Sequence, residues 1–281
     1  MAAGPYLRII RPVNCAMLGF AVIVGEFVSR PPGIPLLQTM MGFLTAFFLC
    51  AYSMVVNDIY DVEVDRVNQP KRPIPSGQLS VASAIRLSVL LLVVGMAFAV
   101  LSLNAVAVGI AAVYAFLSWL YNWWAKREGF AGNLIVASSL AIPFVYGGVV
   151  SGGSVFSSLL LMMAFTSFFA GVGREVVKGM ADVEGDSKRG IGSLARSRGA
   201  KASGVVGASF FLLAVLTSWL PLFLAIANVI YLFGVWVPDA VFVYLAASIL
   251  RNNSAENAHR VKNSALLGML VGLVVFIGGG I

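Results

Sequence analysis

Two groups of carboxylates stand out in a chain that has few of them. Asp58, Asp61, Glu63 and Asp65 crowd one stretch, and Glu175, Asp182, Glu184 and Asp186 another, so eight of the twelve acids fall in two clusters. The first reads Asn57-Asp58-Ile-Tyr-Asp61-Val-Glu63-Val-Asp65. On a helix, Asn57, Asp61 and Asp65 recur every four residues and share a face, with Asp58 three and seven residues from the two later acids. In the second, Arg174, Lys178, Asp182 and Asp186 form one stripe at the same spacing, cations first. Like charges at that spacing repel. A hard cation such as Mg²⁺, which takes one or two carboxylates plus waters and substrate phosphates, offsets the repulsion. Two such clusters facing each other predict a clamp for Mg²⁺ and a diphosphate. Arg174 and Lys178 add positive charge for phosphate oxygens, and Arg66, Lys71 and Arg72 follow the first cluster.

A charge run in a loop is most often solvated surface. That reading suits Arg196, Arg198 and Lys201, and local capping or pairing suits Glu26 and Asp239. Trp119, Tyr121, Trp123 and Trp124 look first like an interfacial aromatic belt. For the two acidic clusters the bland reading weakens, because each lies at helical spacing, at the end of an apolar span and beside cations.

The elements that position these residues follow from composition. Of 281 residues, 59% are hydrophobic and 11% charged, and mean hydropathy is +0.92. A soluble domain carries about a quarter charged residues, so a soluble surface made from this chain would be an aggregating one. Disordered, collagenous and disulfide-rich classes are excluded by low charge, the lack of a Gly-X-Y period and only two Cys. An all-α polytopic membrane protein remains, as one integral-membrane domain over 1–281. Apolar windows of spanning length lie near 13–29, 35–57, 79–101, 103–122, 131–150, 156–174, 202–220, 225–250 and 263–280. Pro238 and Asp239 interrupt the eighth, which is read as one kinked span.

Of nineteen Lys and Arg, all but Arg30 and Arg86 precede the first span or fall in or beside the long connections 58–78, 123–130, 175–201 and 251–262. Arg86 is within snorkelling reach of the same side. The positive-inside rule then predicts a cell-membrane protein whose N-terminus and acidic motifs are cytoplasmic and whose C-terminus is outside. The net charge of +7 is thus an orientation signal, and no nucleic-acid or protein partner is implied. The first span reads as uncleaved, Cys15 and Cys50 as packing residues, and His259 as a polar-loop residue too solitary for His-based zinc chemistry.

Asn57-Asp58-x-x-Asp61-x-x-x-Asp65 resembles the first aspartate-rich motif of the UbiA superfamily of intramembrane prenyltransferases, and Asp182-x-x-x-Asp186 the second. The likeness extends over essentially the whole chain and implies a nine-helix bundle around a central cavity. The stretches Asn57–Gly77, ending Arg72-Pro-Ile-Pro-Ser-Gly77, and Arg174–Asp186 are similar to the archaeal ether-lipid branch, the digeranylgeranylglyceryl phosphate synthases. That resemblance implies Mg²⁺-dependent transfer of a geranylgeranyl group from its diphosphate to the hydroxyl of geranylgeranylglyceryl phosphate. It assigns Asn57, Asp58, Asp61, Asp65, Asp182 and Asp186 to the metal, and makes four of these, Asp61, Asp65, Asp182 and Asp186, the catalytic aspartates. Arg72, Lys126, Lys178 and Tyr121 are assigned to the diphosphate, and Arg11 and Asn14 to the acceptor. Many members carry Tyr-x-x-x-Lys after the fourth helix, whereas four residues separate Tyr121 from Lys126 here. Alternatives are an aromatic acceptor (4-hydroxybenzoate or a naphthoate) and, from another class, a transporter with acidic cation sites. A CDP-alcohol phosphotransferase is disfavoured, since its Asp-Gly-x-x-Ala-Arg opening is absent.

Overall fold

A computed structural model describes residues 4–29, 36–152, 157–183 and 190–280. Asp186, with Glu184, Lys188 and Arg189, lies outside the described residues, as does Arg30. Among the described residues, nine helices are long and apolar enough to cross a membrane. They are α1 (Pro12–Ser29), α2 (Leu36–Tyr60), α3 (Val81–Leu101), α4 (Ala105–Ala125), α5 (Phe130–Val150), α6 (Ser158–Ala181), α7 (Leu194–Phe223), α8 (Val229–Arg251) and α9 (Ala255–Gly278). Short helices Gly4–Ile10 and Val62–Asn68 flank α1 and extend α2.

Several boundaries differ from the apolar windows. α6 and α9 run about two turns beyond them, because hydropathy detects only the stretch that meets hydrocarbon, while a helix continues into water where polar faces are welcome. His259 therefore lies on α9 and not in a loop. α7 is broken near its start at Gly199, whose φ of +84° is not helical, so the residues before it form a separate short turn. Pro221, just past the 202–220 window, lies inside α7, two residues before its end. α8 is kinked as expected: Val235 separates Val229–Gly234 from Trp236–Arg251, three residues before Pro238, which has no N–H to close the ladder.

α1, α2, α4, α5, α6 and α9 line a central cavity, while α3 packs on α2, α7 on α6, and α8 on α7 and α9. α1 to α5 share one apolar cluster, α6 to α9 a second, and a third (Val24, Phe144, Leu160, Tyr231 and Phe276 among others) ties the halves together. Where α1 crosses α5, a Cβ on Gly25 would lie 2.2 Å from the Phe144 carbonyl oxygen and one on Gly147 2.0 Å from that of Val22. Such approach requires glycine, the usual means of close helix packing in membranes. Glu26 is buried at this end and accepts a hydrogen bond from Thr39. Asp239 accepts two from Ser218, so both acids are locally partnered.

Side-chain caps start three helices beside their connections: Ser80 accepts from the Ser83 N–H, Asn104 from those of Val106 and Ala107, and Asn228 from that of Tyr231. The segment between Gln69 and Leu79 is ordered by its own backbone bonds, with Gly77 at φ +74° and Arg8 donating to the Lys71 carbonyl and to Gln78. It returns the chain to α3 and holds Arg72 over the end of α2.

Candidate active site

The helical register of α2 survives its own end. Asp61 breaks the helix in name, yet its N–H bonds the Asn57 carbonyl at 3.0 Å and the Asp65 N–H bonds the Asp61 carbonyl at 2.8 Å. Asn57, Asp61 and Asp65 consequently line the cavity together. Asp58, one residue round the helix, points elsewhere. It does not line the cavity, is 2% exposed, and accepts from Arg11 at 2.6 Å and Arg72 at 3.3 Å. The structure thus sets Asp58 apart from the other members of its motif, as the anchor of two cations. Arg72 reaches past it to Asp65. Arg11, a non-glycine residue at φ +52° just before Pro12, adopts a conformation that costs about 1–3 kcal/mol. That kink directs its guanidinium at Asp58 and places both Arg11 and Asn14 on the cavity wall.

From α4, Lys126 brings Nζ to 2.7 and 2.6 Å from the two Asp61 oxygens and 3.2 Å from Asn57 Oδ1. Tyr121–Ala125 form a π-helical turn in which the Lys126 N–H bonds the Tyr121 carbonyl at 2.8 Å. A π turn takes five residues where an α turn takes four, so residues i and i+5 share a face. The extra residue between Tyr121 and Lys126 is absorbed there. Lys126 Nζ lies 5.8 Å from the centre of the Tyr121 ring, a cation–π contact. Tyr121 lines the cavity, whereas Trp123 and Trp124 face outward.

The opposite wall comes from α6 and α9. Arg174, Lys178 and Asp182 line the cavity at intervals of four, as the stripe predicted. Asp182 caps α6, its N–H bonding the Lys178 carbonyl at 3.1 Å. Glu175 belongs to the wall itself: it is buried and accepts from Arg174 at 2.7 Å and Lys178 at 3.0 Å. On α9, Lys262 donates to Asp182 at 3.4 Å, and His259 lines the cavity one turn nearer the mouth. Sequence reasoning missed this pair. Their signal was the spacing of Ala255, His259, Lys262, Leu266 and Leu270, a helical face running back from the apolar span.

The cavity has a volume of about 1250 Å³, enough for a long isoprenoid and a second substrate. Its charged groups gather at one end. Below them the lining is largely apolar, with Leu117 of α4, Val136, Leu140 and Phe144 of α5, and Leu273 and Phe276 of α9. Met17 of α1 and Leu266 and Leu270 of α9 line the cavity and are exposed.

The oxygen donors Asn57, Asp61 and Asp65 on one wall and Asp182 on the other are the set that a hard divalent cation prefers. Among the described residues no three metal-ligating side chains converge on one point. The donors fit ions that draw part of their coordination from water and substrate phosphate, as Mg²⁺ does.

Residues 18–273 match the family described as the UbiA prenyltransferase family. The chain belongs to that family. As a UbiA prenyltransferase it is similar to the digeranylgeranylglyceryl phosphate synthase of Archaeoglobus fulgidus, 36% identical over 275 residues that cover 96% of this chain and 93% of the relative. A solved structure of digeranylgeranylglyceryl phosphate synthase superposes with a TM-score of 0.83 at 33% identity, covering 99% of this chain and 98% of the other. A UbiA homologue from Archaeoglobus fulgidus, solved with DMAPP and Mg²⁺, shares the fold at a TM-score of 0.70 and 20% identity, over 96% of this chain and 98% of the other. The all-α, nine-helix membrane bundle expected of the UbiA family is thus the fold observed.

Proposed function

We propose that this UbiA prenyltransferase transfers a geranylgeranyl group from geranylgeranyl diphosphate to the free hydroxyl of geranylgeranylglyceryl phosphate, with Mg²⁺ as cofactor. The observation that carries the reading is the opposition of Asn57, Asp61 and Asp65 to Asp182 across one cavity whose walls also hold Arg72, Lys126 and Lys178. The relatives' shared name supports the substrate pair, and the distant homologue's ligands support the metal.

Asn57, Asp61, Asp65, Asp182 and Asp186 would hold Mg²⁺, which when bound supplies Lewis-acid stabilisation of the leaving diphosphate. The chain's own cations act on the same charge. Lys126, Arg72 and Lys178 lie where the diphosphate would sit, and donors aimed at developing negative charge contribute most in a site shielded from water. Tyr121 orders Lys126 through its ring and walls the allylic carbon. The isoprenoid tail occupies the apolar part of the cavity below the charges. As the C1–O bond to the departing diphosphate breaks, the acceptor oxygen forms the new ether bond to C1, and its proton passes to that diphosphate or to a neighbouring carboxylate. Arg11 and Asn14, on α1 at the polar end, are assigned to the acceptor.

The cation distribution supports an orientation with the N-terminus and the acidic end cytoplasmic and the C-terminus outside. In the alternating bundle, the N-terminal ends of α1, α3, α5, α7 and α9 share one side with the C-terminal ends of α2, α4, α6 and α8. Lys126, Arg174, Arg251, Arg260 and Lys262 all fall at that side.

Release of diphosphate from geranylgeranyl diphosphate, dependent on both Mg²⁺ and the acceptor, is the test. Asp61→Ala and Asp182→Ala are each expected to lower it by about 100-fold or more while the folded protein still purifies. Near-normal release in both variants would contradict the reading.

A further inference from the structure

We infer that His259 and Lys262 on α9 form the subsite for the acceptor's phosphate monoester and so decide the choice of a phosphorylated acceptor. The inference rests on the function proposed above. Two anionic groups must then share one cavity, the donor's diphosphate and the acceptor's phosphate. Only a three-carbon glycerol backbone links the attacking hydroxyl to that phosphate, so its site must lie beside the diphosphate without coinciding with it.

Each of the other cations of the wall is held by a carboxylate at 3.0 Å or closer. Arg11 and Arg72 are bound to Asp58 and Asp65, Lys126 to Asp61, and Arg174 and Lys178 to Glu175. Lys262 makes the longest of the cavity's ion pairs, 3.4 Å to Asp182, and its side chain is 14% exposed. His259, three residues earlier on the same helical face, lines the cavity at its exposed mouth and offers a ring N–H to an anion. Directly along that face toward the apolar end follow Leu266, Leu270 and Leu273. From Lys262 to Leu273 the helix rises about 16 Å. This face is polar for one turn and apolar for three, which matches an amphiphile with a phosphate head and an isoprenoid chain. Lys262 beside Asp182 sets that phosphate at the edge of the second acidic group, where the hydroxyl can reach the donor's C1. An aromatic acid could pair its carboxylate with the polar end but would leave the length of this face unused.

The experiment compares geranylgeranylglyceryl phosphate with its phosphate-free alcohol, both at saturating geranylgeranyl diphosphate and Mg²⁺. The proteins are wild type, His259→Ala and Lys262→Gln. Lys262→Gln is expected to raise KM for the phosphorylated acceptor at least tenfold and His259→Ala several-fold, with donor KM changing less than twofold. The preference of the wild type for the phosphorylated acceptor should collapse in both variants. An unchanged acceptor KM would overturn the subsite, and so would a donor KM that rises in parallel, since Lys262 would then serve only to steady Asp182. His259 is exposed, so its variant is expected to fold even where Lys262→Gln does not, and its acceptor KM decides the matter alone. A wild type that prenylates an aromatic acceptor and neither glycerol ether would instead refute the underlying function.

Discussion

Lys126 stands over the ring of Tyr121, five residues before it, because a π-helical turn joins them. The same turn sends Lys126 Nζ to both oxygens of Asp61, 65 residues earlier in the chain. A one-residue departure in sequence spacing is thereby cancelled in space.

Deleting Trp124, which is exposed, should turn the π turn into an α turn and keep Lys126 on the Tyr121 face. Activity is expected to stay within tenfold of wild type. Inserting one alanine at the same place moves Lys126 off that face and should cost about 100-fold or more, the scale of losing one charge-stabilising donor. Steady-state rates of the two variants check this; equal losses would contradict it.

Asp58 neutralises Arg11 and Arg72 from behind the cavity. Asp58→Ala leaves the Arg11 guanidinium without its carboxylate and Arg72 with Asp65 alone, each about 30% exposed, so water offsets part of the loss. A destabilisation of about 1–3 kcal/mol is expected, below the 3–5 kcal/mol of a wholly buried pair. Thermal unfolding in detergent should show a drop of several degrees. Asp61→Ala should lower activity far more than it lowers Tm, and that contrast separates the anchoring carboxylate from the functional one.

Gly147→Ala would place a methyl group 2.0 Å from the Val22 carbonyl oxygen, whereas a Cβ on Gly109 meets nothing within 4 Å. The first change should destabilise by about 1–3 kcal/mol through overpacking. The second should be neutral or slightly stabilising, since alanine favours helix over glycine. Paired unfolding measurements test the close crossing of α1 and α5.

The acidic site was legible because Asn57, Asp61 and Asp65, and Arg174, Lys178 and Asp182, obey a period of four that scattered loop charges lack. Asp58 shows the limit of that pattern. It shares the motif's composition, but its position on the helix turns it into the wall, and only the tertiary positions of Arg11 and Arg72 reveal its partners. Lys262 and His259 were obscured for a different reason. They precede the apolar window of α9, and charges at that place also report topology, so the second meaning was hidden behind the first. The π turn left no signal beyond a single extra residue. A choice between α and π turns depends on whether Lys126 finds Asp61, and that contact joins residues far apart in sequence.

Mass spectrometry of the product tests the identity of the two substrates most directly. Purified protein in lipid bilayers would receive geranylgeranyl diphosphate and Mg²⁺ with geranylgeranylglyceryl phosphate, 4-hydroxybenzoate or a naphthoate in separate reactions. The predicted result is digeranylgeranylglyceryl phosphate in the first reaction, absent without Mg²⁺, and no prenylated aromatic in the others. A prenylated aromatic product, with the glycerol ether phosphate returned unchanged, would contradict it.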